Sequence, residues 1–279
     1  MTQAKAAAAE IPQGRPTVPK VQRTPWELFL SEMIGTGLLL LGGLSLVIFM
    51  FGAGSPIAEL VPSRTLRMVM SGFLFGSIGA LIAVSPVGDV SGAHINPAVT
   101  LGFLLMGKFK PRVAFGYVVA QLTGALLGSL PLLAWGRMGR SVDFGASLPG
   151  QGYSTWTVLL GEVATTFGLI AGLCVFLAIR ELRRFTPAMI PFLYAVMVPL
   201  EAPISGTSTN PARSFGPAIV SGNFSGWWIY WVGPFLGTVL GILACSFLAT
   251  RIEVAKVYHF DSDRSGVFHM MSRSTATKA

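Results

Sequence analysis

Ser91-Gly92-Ala93-His94-Ile95-Asn96-Pro97-Ala98-Val99 has an echo 114 residues further on, Ser205-Gly206-Thr207-Ser208-Thr209-Asn210-Pro211-Ala212-Arg213. Each copy reads as the start of a helix. Asn96 and Asn210 stand at N-cap positions, Pro97 and Pro211 follow where a missing N–H costs nothing, and Ala98 and Ala212 lead into apolar runs. A single Asn-Pro-Ala is an ordinary turn signal. Two copies at matching places in the two halves of a chain point to an internal repeat.

The surroundings of both copies are strongly apolar. Of 279 residues, 52% are hydrophobic and 11% charged, whereas a soluble domain carries about a quarter charged residues. That depletion places the chain among integral membrane proteins. The net charge of +8 does not indicate nucleic acid, because the basic residues flank apolar spans and form no stripe interleaved with aromatics. Cys174 and Cys245 fall inside apolar runs, with neither zinc nor disulfide spacing. Buried thiols are expected there, and no cofactor or metal.

Six runs are long enough, or nearly so, to cross a hydrocarbon core of roughly 30 Å. They extend over about Trp26 to Phe51, Arg67 to Val84, Val113 to Trp135, Trp156 to Ile179, Ala188 to Leu200 and Trp227 to Thr250. The fifth is the shortest and is expected to extend at both ends. Two more, Pro97 to Met106 and Pro211 to Val220, are too short to cross and read as re-entrant segments. The expected fold is an all-α integral membrane protein of six transmembrane helices plus two re-entrant half-helices. Residues 1–24 read as a disordered tail, 25–250 as one domain of two repeats (about 25–136 and 155–250), and 251–279 as a second tail. Ser265, Ser272 and Ser274 in that tail are candidate phosphorylation sites.

Six spans put both termini on one side. That side holds fifteen Lys and Arg against four on the other, leaving Arg213 aside, so both termini are expected in the cytoplasm. Insertion without a removed signal fits a plasma or bacterial inner membrane. Three spans per half, an odd number, give the halves opposite orientation. The match extends beyond the motifs. Glu32 in span one parallels Glu162 in span four, and Gln121-Leu122-Thr123-Gly124 with Gly128 parallels Pro234, Gly237 and Gly241.

In an inverted repeat the two half-helices enter from opposite faces and meet N-terminus to N-terminus near the midplane. Each N-terminus carries about half a positive elementary charge and unpaired N–H groups. Asn96 and Asn210 would there offer amide donors to a small neutral molecule, while a cation meets the wrong sign of field. Irregular backbone at that depth must be buried in protein or line a cavity. Arg213 follows the second motif where Val99 follows the first, and an arginine inside a membrane segment is a functional candidate by default. Glu32 and Glu162 are expected to brace the two loops, and His94 either to brace the first or to act as a pH-sensitive gate. Glu201, between Pro199 and Pro203, either pairs with Arg213 or lines a vestibule.

Ser91 to Thr100 and Thr209 to Gly216, with the six spans around them, make the chain resemble the aquaporin (major intrinsic protein) family from about residue 26 to 250. The resemblance implies that family's fold, its homotetramer with one pore per subunit, and an outer selectivity filter to which Arg213 belongs. Ser214, Ala218 and Tyr230-Trp231 are similar to water-selective members. The other filter positions depart from that pattern. Val198 stands where His is usual, Thr207 fills the loop position, and the usual aromatic falls on Gly76 or, with one extra residue in Ser85 to Asp89, on Phe75. The implied function is a passive channel for water across the lipid bilayer, with glycerol or other small neutral solutes as alternative cargo. An ion-coupled transporter using Glu32 and Glu162, and a non-conducting scaffold, are the competing classes; no enzyme constellation is present in the sequence.

Overall fold

The computed structural model describes residues 26–108 and 110–249; both tails, including Ser265, Ser272 and Ser274, lie outside them. Among the described residues every regular element is a helix. Eight carry the architecture: α1 (Trp26–Phe51), α2 (Arg64–Ala83), α3 (Pro97–Leu105), α4 (Pro111–Ser129), α5 (Thr155–Ala178), α6 (Thr186–Glu201), α7 (Pro211–Ser221) and α8 (Ile229–Ala244). Helices α1, α2, α4 with its continuation, and α5 are long and apolar enough to cross a membrane. Helices α6 and α8 are shorter, 16 residues each, or about 24 Å at 1.5 Å per residue.

Local chemistry sets the boundaries. Ser63 and Ser154 cap α2 and α5, each accepting an N–H from the first turn. The third span does not run on as α-helix to Trp135. It tightens to a 3-10 helix at Leu130–Trp135, where Pro131 has no N–H to continue the ladder. The sixth span likewise breaks at Cys245, ahead of a last turn, Ser246–Ala249. Helix α6 exceeds its sequence estimate at both ends, despite Pro191 and Pro199 inside it.

Helix packing follows the repeat. Helix α1 lies on α4 and α5 on α8, α2 meets α6 across the middle, and each half-helix leans on the other half, α3 on α8 and α7 on α4. Exchanging the halves maps this set of contacts onto itself. Small residues let the backbones close. Gly124 and Gly128 sit on the backbone of Met33 and Gly37, and Gly237 on that of Val163. A Cβ at Gly128 would collide with the Gly37 backbone, so Gly128→Leu is expected to destabilise the protein by about 1–3 kcal/mol. Thermal unfolding in detergent tests this; an unchanged midpoint would show that the helices can part freely. Outside the bundle, Phe115, Leu160 and Phe192 are exposed, as a lipid-facing surface requires.

Candidate functional site

The two motif loops have the same backbone. Gly92 and Gly206 are left-handed at φ 88° and 87°, followed by Ala93 and Ile95 at 47° and 42° in one copy and Thr207 and Thr209 at 50° and 53° in the other. Four non-glycine residues in this region are costly, at about 1–2 kcal/mol each. What holds them is a carboxylate in each loop. Successive N–H groups turned to one side form an anion-binding nest, and a buried glutamate fills it. Glu32 accepts from His94 N at 2.9 Å, Ile95 N at 2.6 Å, Ser91 Oγ at 2.7 Å and Gln121 Nε2 at 2.7 Å. Glu162 accepts from Ser208 N at 2.8 Å, Thr209 N at 2.9 Å and Ser205 Oγ at 2.5 Å. Two tyrosines complete the match: Tyr117 Oη donates to Ser91 O and Tyr230 Oη to Ser205 O.

The loops then deliver α3 and α7 to each other. Asn96 Oδ1 caps α3 by accepting from Ala98 N, and Asn210 Oδ1 caps α7 by accepting from Ala212 N and Arg213 N. With the oxygens so engaged, the amide nitrogens face the opposite loop. Asn96 Nδ2 donates to Thr209 O and Asn210 Nδ2 to Ile95 O, both at 2.9 Å. The amides are therefore not wholly free for a ligand, as the sequence alone had implied. Each –NH2 group has two hydrogens; one ties the loops together and one remains. Pro97, Ala98, Pro211 and Ala212 are buried behind them.

Two cavities flank this junction. One of about 90 Å³ is lined by His94, Asn96 and Asn210 with apolar side chains, and one of about 290 Å³ by Arg64, Val198, Thr207 and Arg213. His94 bonds Thr100 Oγ1 through Nδ1 at 3.1 Å and stacks on Phe103. Arg213 is 7% exposed and so does not reach out to an interface. Its Nη1 donates to Gly145 O and Ser147 Oγ, both at 2.7 Å, and its guanidinium lies 5.9 Å from the Phe75 ring centre.

Phe75 is thus the aromatic beside Arg213. Gly76 is seated instead against Ile190 and Pro191 at the crossing of α2 and α6, where only its backbone can border the smaller cavity. Glu201 does not pair with Arg213. Its buried carboxyl faces Ser205 and Thr207 and packs against Gly161.

Three participants were missed in the sequence. Gly145 and Ser147 come from the connection between α4 and α5, folded inward by left-handed Asp143, Phe144 and Gly145; the Asp143-Phe144-Gly145 turn was the available signal. Tyr194 lies one helical turn before Val198 on α6, and that i, i+4 spacing could have found it.

Apolar helices in an inverted repeat, with half-helices flanked by cavities inside it, define a multi-pass membrane protein of the channel class. The family model for major intrinsic proteins matches residues 20–245. Among relatives, the lens fiber major intrinsic protein of Gallus gallus is 36% identical over 228 residues, covering 78% of this chain and 79% of the relative. Aquaporin TIP2-3 of Arabidopsis thaliana is 34% identical over 215 residues, covering 76% and 83%. The aquaglyceroporin structure from Plasmodium falciparum superposes with a TM-score of 0.57 at 19% identity, covering 81% of this chain and 96% of that one. The chain belongs to the major intrinsic protein, or aquaporin, family. It is a membrane channel for water or small solutes, and not an enzyme.

Proposed function

We propose that this protein is a passive water channel that follows osmotic gradients and excludes protons and ions. The observation that carries this reading is the pair of asparagine amides at facing helix N-termini, each with one N–H left over. A water crossing there accepts from both asparagines while the two helix ends oppose a cation. Asn96, Pro97, Ala98, Asn210, Pro211 and Ala212 form the midpoint. Phe75, Val198, Thr207 and Arg213 line the wider, outer mouth, and Glu32, Glu162 and His94 support the loops. The excess of basic residues beside the termini supports a cytoplasmic location for both. The resemblance supports a homotetramer in a plasma or bacterial inner membrane.

Val198, an apolar residue facing the 290 Å³ cavity, favours a second reading in which glycerol or another small neutral solute is the main cargo. Stopped-flow light scattering of proteoliposomes separates the two. Rapid shrinkage under an impermeant osmolyte with slow glycerol entry is the expected result. Glycerol entry as fast as water efflux would establish the second reading, and water permeability no higher than in empty liposomes would overturn both.

A further inference from the structure

The two cavities share two lining residues, Phe75 and Tyr194. Val198, Thr207 and Arg213 border the larger cavity, and Asn96 and Asn210 the smaller. The two rings therefore stand where the two cavities adjoin. Their centroids are 6.4 Å apart and the planes 23° from parallel. Carbon contact distances leave no more than about 3 Å between such faces, too little for a carbon chain.

Tyr194 is also fixed in place. Thr209 Oγ1 donates to Ser208 O at 2.7 Å, so at the 2.5 Å contact between the two hydroxyls Tyr194 Oη is the donor. Thr209 in turn gives its N–H to Glu162 and takes the Asn96 amide at its carbonyl. The ring is thereby tied to a residue that the second loop itself holds in place. On the other side, Phe75 presses on Gly43 of α1, where a Cβ would overlap its ring. Neither ring is free to swing aside.

We propose that Tyr194, held opposite Phe75 by its hydrogen bond to Thr209, is the specificity-determining residue that sets the size limit for solutes. The donor bond leaves the Tyr194 oxygen its lone pairs, so the constriction offers an acceptor one step before the asparagine donors. This inference rests on the water-channel reading and names the element that excludes larger neutral solutes.

The test is the ratio of glycerol to water permeability in proteoliposomes of the full chain, wild type against Tyr194→Val, Tyr194→Phe and Met68→Ala, the last on the wall of the larger cavity. Tyr194→Val is expected to raise the ratio at least about tenfold, the scale on which apolar pockets discriminate by size, with water flux retained. Met68→Ala should leave it near wild type. A wild-type ratio in a water-conducting Tyr194→Val protein overturns the proposal, as does an equal rise in Met68→Ala. If Tyr194→Val passes no water, Tyr194→Phe decides: it keeps the ring and loses the tether, and a ratio identical to wild type overturns the assignment. Failure of the wild type to conduct water sinks the channel reading itself and is thereby distinguished.

Discussion

Glu162→Ala is expected to cost the protein about 3–5 kcal/mol, the range for removing one partner of a buried charged network. The carboxylate is fully buried and takes two backbone N–H groups and a serine hydroxyl. Its loss leaves those buried donors without their acceptor. It also releases the strain of Thr207 and Thr209 at φ 50° and 53°. The second loop should then relax, carrying α7 and the Arg213 site with it. Glu162→Gln should fall between, because one amide oxygen still accepts while the –NH2 faces a backbone donor. Thermal unfolding in detergent, read by monodispersity, measures both. A Glu162→Ala protein with the wild-type midpoint and wild-type water flux would refute the bracing role and reopen the reading of Glu162 as a proton carrier.

The same pair of glutamates shows where sequence reasoning succeeds. An acidic residue at one place in two apolar helices, each paired with a duplicated loop, is legible because duplication is a property of the sequence itself. The spans were legible for a similar reason, since composition over about 20 residues decides whether a helix crosses a bilayer. The missing parts depend on backbone direction. Phe75 and Gly76 are neighbours in sequence, and only the α2–α6 crossing, set by Gly72 and Gly76 on the backbone of Tyr194 and Pro191, turns one toward Arg213 and the other away. Gly145 and Ser147 belong to a connection with no periodicity, and three consecutive left-handed residues bring it to the guanidinium. Such contacts are built by long-range folding and leave no local pattern.

Arg213→Val is expected to raise proton and cation leak by roughly tenfold to a hundredfold. A fixed unit charge about 5 Å from a passing cation is worth about 3 kcal/mol at an effective dielectric of 20, and the two helix N-termini retain part of the barrier. The charge is well placed to act in this way. Burial keeps it out of bulk solvent, and Gly145 and Ser147 hold one nitrogen of the guanidinium on the wall of the 290 Å³ cavity. Arg213→Lys separates charge from geometry. It keeps the positive charge but lacks the planar fork that spans Gly145, Ser147 and the Phe75 face, so its leak should stay near wild type while water flux changes. Proteoliposomes loaded with a pH-sensitive dye and given a proton gradient supply the reading. Equal leak in wild type and Arg213→Val would remove Arg213 from the barrier and leave the asparagine junction as its whole basis.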